Sequence, residues 1–196
     1  MRLILKLNLT MKKIEIEIPD GKRAEWINGI LSLVDDTPKD ITERIKTFED
    51  ACTELGNEHP FVKSYEKYVN IASDEEAEEA DVIAYLKLRI IIAALNEGWK
   101  PKFTDDEYSW YPWFKLWTGK ELSMIGKAGW KDDKHILSTD DYLGDYAAFV
   151  CNGTSYTCQG TDASISSRLC LKSEALATYC GKQFIDFWAD FCLIKK

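Results

Sequence analysis

Between Trp99 and Trp117 the chain places eight of its 24 aromatic residues, and Asp105, Asp106 and Glu107 fall among them. Aromatic faces beside carboxylates can hold sugars: the ring covers the apolar face of the pyranose while the carboxylate oxygens accept hydrogen bonds from its hydroxyls. Asp105, Asp106, Trp110, Tyr111 and Trp113 are therefore the candidate ligand-binding set, and this is the grouping that most resembles the paired carboxyls of a glycosidase cleft. A second reading competes with it. Trp110, Trp113, Phe114 and Trp117 are spaced by three, one and three residues, the pattern of one helical face turned toward a core or an interface. Pro112 in their midst argues against an uninterrupted helix. Core packing is the expectation adopted, with the aromatic run acting as a joint between two halves of the fold.

Other chemistry is sparse. The sequence contains no GxSxG, GxxxxGK[ST], GxGxxG or HExxH signature. Nucleophilic catalysis by Cys or Ser usually needs a histidine base. His59 precedes a helix-starting proline and His135 lies in the charged loop KDDKHIL, so a Cys/His hydrolase site is kept only as an alternative, with an unrecognised carboxylate pair beside it. The carboxylate pairs at 35/36, 105/106, 132/133 and 140/141 carry little information among 33 acids. The six cysteines form no CxxC pair, and with two histidines in the chain no metal site and no cofactor are expected. Reduced core thiols are the expectation, the exception to test being a disulfide between Cys151 and Cys158 across a hairpin. The Ser/Thr/Tyr/Asn/Gly-rich segment 142–167 has the composition of an adaptable contact surface, and Tyr146, Asn152 and Tyr156 are its candidate contact residues.

These residues must be positioned by recognisable elements. Leu3, Leu5, Leu7 and Leu9, then Ile14, Ile16 and Ile18, alternate with other residues at the period of half-buried strands. AEWINGILSLV at 24–34 reads as a returning strand. DITERIKTFEDACTELG reads as one helix, capped by Asp40 with Glu43 three residues on and ended by Gly56. A helix from Pro60 to about Ile71 follows. The acidic run at 73–81 opens a third, nearly all-apolar helix that stops at Gly98 and is expected at the centre of the core. Residues 118–147 are polar and turn-rich. DYAAFVCNGTSYTCQG reads as a hairpin turning at Asn152-Gly153, SSRLCLKS as a strand, and 173–192 as a helix with Leu176, Cys180, Phe184, Phe187, Trp188 and Phe191 on its apolar face. Strands, three helices, short strands and a helix in that order predict α+β: an N-terminal β-hairpin, a three-helix segment, a small antiparallel sheet and a C-terminal amphipathic helix.

Length and charge set the outer limits. A chain of 196 residues fits a single compact domain, with an internal division between 1–98 and 99–196. Its formal net charge of −8 repels phosphate backbones and argues against nucleic-acid binding by a broad basic face. No apolar stretch reaches the roughly 18 residues of a membrane span. The N-terminus lacks a small-residue cleavage site, so no signal peptide is expected, and Met11 offers an alternative start. The expected location is the cytoplasm or a particle assembled there.

Two segments carry a family resemblance. ALNEGWKPKFTDDEYSWYPWF and SSRLCLKSEALATYCGKQFIDFWADF resemble uncharacterised small proteins encoded by Bacteroidetes genomes and their phages or prophages, as do IEIPDG and KDITERIKTFEDACTELG. The shared pattern is a helix leading into Trp-x-Pro-x-aromatic-Thr-Asp, a changeable middle, then a strand with Lys-Ser and an amphipathic helix. Matching positions are Trp99, Pro101, Phe103, Thr104, Asp105, Arg168, Leu169, Lys172, Phe184 and Phe187. The segment at about 118–165 departs most. The resemblance implies no activity for any residue. The reading adopted is a non-enzymatic binding or assembly protein of phage or prophage type, with a protein partner or self-association expected and a carbohydrate ligand on the 103–117 segment as the alternative.

Overall fold

The computed structural model describes residues 3–9, 12–71, 80–102, 104, 107–125, 136–158 and 167–196. Asp105, Asp106, Phe103, His135 and most of the acidic run at 73–81 lie outside the described residues. The chain divides into two compact units, 1–44 and 45–196. The division falls after Arg44 and not near residue 98. Its reason is visible in the central helix, which packs against elements from both sides of position 98.

The first unit consists of hairpins and one helical turn. Strand β1 (Leu3–Leu9) pairs antiparallel with β2 (Lys12–Ile18), Leu5 opposite Ile16 and Leu7 opposite Ile14. The turn that follows closes through the Lys22 amide on the Pro19 carbonyl at 3.1 Å. The expected single strand at 24–34 is instead a second hairpin, β3 (Lys22–Ile27) and β4 (Ile30–Asp35). Asn28 and Gly29, at φ 51° and 81°, make its two-residue turn. Positive φ at both central positions is what a turn matched to strand twist requires, and Asn-Gly supplies it with least strain. The short helix α1 (Ile41–Arg44) ends the unit.

The second unit is helices packed against a three-stranded sheet. The helix expected over 40–56 breaks at Ile45–Thr47, so α2 runs Phe48–Leu55. Thr47 caps it: its hydroxyl accepts from the Asp50 amide at 3.1 Å while the Asp50 carboxylate accepts from the Thr47 amide at 2.9 Å. Helix α3 (Pro60–Val69) starts at its proline as expected, with Val62 as its buried residue. Helix α4 (Ala80–Leu95) buries Ala84, Leu88, Ile90, Ile91, Ile92, Ala94 and Leu95. Residues at 90, 91 and 92 point in three directions round a helix, so burial of all three places α4 in the middle of the core. It contacts α2, α3 and the C-terminal helix. Among the described residues no helix is long and apolar enough to cross a membrane.

The aromatic run forms not a helix but strand β5 (Tyr108–Trp117). It pairs antiparallel with β7 (Ala148–Cys158), and β7 pairs with the short β6 (Ile136–Ser138), giving the order β5-β7-β6. The expected hairpin at 145–160 is therefore a single strand. Register shifts between Trp113, opposite Gly153, and Phe114, opposite Cys151, so Asn152 is the extra residue of a bulge rather than a turn. Cys151 and Cys158 lie along one strand, which removes the cross-hairpin disulfide, and Cys151 is a free thiol. Residues 119–125, expected as part of a polar turn-rich stretch, form α5 (Gly119–Ile125). The C-terminal helix is two helices, α6 (Glu174–Gln183) and α7 (Ile185–Cys192), meeting at Phe184.

Candidate functional site

Alternation along β5 decides where its aromatics go. Trp110, Pro112 and Phe114 face the helices: Phe114 stacks on Phe149 at 4.6 Å and meets Trp188 at 5.4 Å. A Cβ built on Gly181 of α6 would lie 2.5 Å from the Pro112 Cβ, so Pro112 packs directly against that helix. Tyr111 and Trp113 point to the other face. Trp117 packs there with Leu122, Ile136, Ala148 and Val150. The five-residue set is therefore not brought together: Trp110 is on one face, Tyr111 and Trp113 on the other, and Asp105 and Asp106 are outside the described residues. Trp113 is 48% exposed, while Trp110 and Tyr111 are half-buried.

The end of β5 beyond α6 carries a different cluster. Trp110 and Tyr156 rings lie 5.1 Å apart, and Tyr108 meets Tyr156 edge-on at 5.1 Å. Their closeness follows from the pairing. The Trp110 amide and carbonyl are both committed to Leu171, at 3.0 and 2.7 Å, so Trp110 and Tyr156 form a non-hydrogen-bonded pair, in which facing side chains approach most closely. Tyr108 and Tyr156 are more than half exposed. Of the expected contact residues, Tyr156 belongs to this cluster and Asn152 is the exposed bulge. Tyr146 is exposed but precedes Ala148, at the far end of β7, roughly 25 Å of strand from Tyr156. The three do not make one patch.

A cavity of about 580 Å³ lies elsewhere, where three distant segments meet. The turn before α3 contributes His59, Pro60 and Phe61. Helix α4 contributes Arg89, Ile92 and Ala93, and Asn96 follows directly after it. The turn after α4 contributes Trp99, Lys100 and Pro101, and Arg168 and Cys170 close the wall.

Each wall residue is held for a local reason. Asn96, the residue directly after α4, is 4% exposed. Its Nδ2 donates to the Cys170 carbonyl at 2.9 Å, and its Oδ1 accepts from the Lys172 amide at 3.0 Å. Leu171 turns its own amide and carbonyl to Trp110, so the groups of its neighbours point the opposite way. The Asn96 amide satisfies them as an adjacent strand would. Glu97 and Gly98, at φ 48° and 82°, then reverse the chain, and the Trp99 amide donates to the Asn96 carbonyl at 2.9 Å. The Trp99 indole donates to Glu107 Oε1 at 2.8 Å, which fixes the plane of the ring. Glu107, the described member of the acidic trio, thus anchors an aromatic instead of facing a sugar.

His59 caps α3, its Nδ1 accepting from the Phe61 amide at 3.3 Å, which leaves Nε2 as the ring's remaining polar edge. His59 also has a place on the cavity wall. The Arg89 guanidinium lies 4.0 Å from the Phe61 ring centroid, and its Nε is buried without a hydrogen-bond partner. Among the described residues no group of three His, Cys, Asp or Glu side chains is placed to hold a metal ion.

The wall can do two things: cover a flat apolar body with Trp99, Phe61 and Pro101, and present cationic hydrogen-bond donors from Arg89, Lys100 and Arg168. None of Arg89, Asn96, Trp99 or Arg168 was singled out as a ligand residue from sequence. The one local signal was Asn96 itself, an amide closing the apolar helix just before a glycine. No protein-family model, no curated protein and no solved structure matches the chain.

Proposed function

We propose that the protein is a non-enzymatic binding protein that holds its ligand in the cavity between α3, α4 and the 99–101 turn, and that this binding serves partner recognition or assembly in a phage or prophage setting. The observation that carries the reading is the cavity itself: a ligand-sized concave site, mostly apolar, with a few converging polar groups fixed by the fold. Trp99, Pro101 and Arg168, three of the residues on which the Bacteroidetes phage resemblance rests, come together on its wall. The test is a neutral environment-sensitive dye, phenylnaphthylamine. It should bind with one site per chain, and Ala93→Phe, which fills the cavity from α4, should abolish the signal. Unchanged dye binding in Ala93→Phe rejects the site. For the assembly role, light scattering giving a monomer, together with an empty pull-down from infected lysate, counts against it.

One observation favours a second reading. Cys170 and His59 both line the cavity, and a thiol with a histidine base is the minimal set for acyl-transfer chemistry. Under that reading Cys170→Ala abolishes turnover of a fluorogenic thioester. Under the binding reading no turnover exists to abolish, and dye binding survives the substitution.

A further inference from the structure

We infer that the cavity selects a flat anion: an aromatic ring system carrying a carboxylate or similar oxyanion, the ring against Trp99 and Phe61 and the oxyanion on Arg89. This rests on the cavity being the binding site and adds the chemical class of its occupant. Three observations lead to it.

The first is the sign of the wall. The chain carries 33 acids against 25 Lys and Arg, yet the described cavity wall holds Arg89, Lys100 and Arg168 and no carboxylate. A concave surface with low-dielectric walls concentrates that local charge, whatever the net charge of the molecule. A cationic ligand is repelled there, and an anionic one is favoured.

The second is the state of Arg89. Its guanidinium is stacked over Phe61, which sets the plane of the fork, and its Nε is buried and unpartnered. Nε, with almost no accessible surface, faces the protein, so only the terminal amino groups of the fork are left to meet a ligand. A planar fork held in place is what two-point recognition of an oxyanion requires. The third is the fixed ring. Glu107 holds the Trp99 indole through its N–H, so one aromatic wall is oriented before any ligand arrives.

The experiment compares two dyes that share a ring skeleton and differ in charge: anilinonaphthalene sulfonate and neutral phenylnaphthylamine. The sulfonate should bind about 10–100-fold more tightly, the range of a charge-assisted hydrogen bond. Arg89→Met should erase that preference while leaving the neutral dye in place, and Arg89→Lys should restore only part of it. Lys100→Gln, at an exposed position, should weaken the sulfonate alone by a few-fold. If Arg89→Met does not fold, Lys100→Gln and salt decide. Sulfonate affinity should fall between about 0.05 and 0.5 M NaCl, as screening of the charges increases, and the neutral dye should not respond. Equal affinities for both dyes, unmoved by Arg89→Met, Lys100→Gln or salt, overturn the anion inference and leave the cavity as the binding site. Binding of both dyes that persists in Ala93→Phe, or binding of neither dye, overturns the cavity reading itself.

Discussion

Asn96 is the residue on which the cavity wall most directly depends, and its removal has a calculable effect. Asn96→Ala deletes both amide contacts at once, leaving the Cys170 carbonyl and the Lys172 amide without partners beneath a side chain that is 4% exposed. Each orphaned buried group costs about 1–3 kcal/mol. Because Asn96 also lines the cavity, water can reach part of the gap, so the lower half of the summed range, about 2–4 kcal/mol, is expected. For a unit of about 150 residues each kcal/mol lowers Tm by roughly 2–4 °C, which predicts a fall of about 4–16 °C by circular dichroism. Asn96→Asp isolates the donor. It keeps the shape and the acceptor for the Lys172 amide, but an ionised carboxylate then faces the Cys170 carbonyl. Burial and that carbonyl both disfavour the charged form, so the folded pKa lies above the unfolded value of about 3.9. A group raised in this way contributes its stability below the unfolded pKa, where the protonated acid donates as the amide did. That stability is lost as pH rises through the folded pKa. The Lys172 ammonium, which would oppose the shift, is already paired with Glu97 at 2.8 Å. The Asn96→Asp variant should match the parent near pH 3.5 and fall increasingly below it toward neutrality, measured as the difference between paired urea titrations so that the other acids cancel. A loss under about 1 kcal/mol for Asn96→Ala, or a difference flat in pH for Asn96→Asp, would refute the strand-mimic role.

Two further outcomes follow from packing and charge. Gly181→Ala should destabilise by up to about 2 kcal/mol in urea, because its Cβ would lie 2.5 Å from the Pro112 Cβ and 2.7 Å from the Cys151 sulfur. Overpacking of about 1–3 kcal/mol then exceeds the helix-propensity gain of about 1 kcal/mol; a stabilised variant would mean that α6 does not sit on β5 this way. The Tyr142 hydroxyl donates to Asp190 Oδ1 at 2.6 Å, and burial followed by that hydrogen bond holds the phenol well above its usual range. Its stabilisation is complete below about pH 10, the unfolded value, and is lost as pH rises beyond it, so Tyr142→Phe should show a shallower alkaline decline in chemical-denaturation stability than the parent.

Legibility in the sequence depended on whether a pattern had one structural meaning. The leucines of β1 and isoleucines of β2, the proline that starts α3 and the apolar block of α4 had one, and all read correctly. Asn-Gly had two. Asn28-Gly29 joins two runs of six that pair with each other, so it turns. Asn152-Gly153 lies within a run opposite the ten-residue β5, so the chain continues through it as a bulge. Pro112 argues against an uninterrupted helix, and it sits within a strand. The Trp110 amide points to the outer edge of β5, toward Leu171, and two residues on the proline nitrogen points to the same edge. Its missing N–H therefore takes nothing from the pairing with β7. Helix breaks were hidden for the opposite reason. Leu176, Ala177, Cys180, Gly181, Phe184, Ile185, Trp188 and Ala189 are all buried and keep helical spacing across the junction at Phe184, so periodicity alone could not reveal it.

The cavity was illegible for a reason that reaches past local pattern. Its wall draws on positions from 55 to 170, and each residue has an ordinary local role: His59 a cap, Trp99 a turn aromatic, Arg89 a side chain on a helix. Only topology brings them together. The net charge of −8 also pointed away from anions, and that inference needs narrowing. It holds for extended polyanions, which sample the field of a whole face over many phosphates. A small anion inside a cleft responds mainly to the charges within a few ångströms, which are less screened where water is excluded. An acidic surface and an anion-selective cavity are thus compatible in one molecule. The acids outside discourage long polyanions, while Lys100 and Arg168 beside the Arg89 guanidinium favour a ligand small enough to enter.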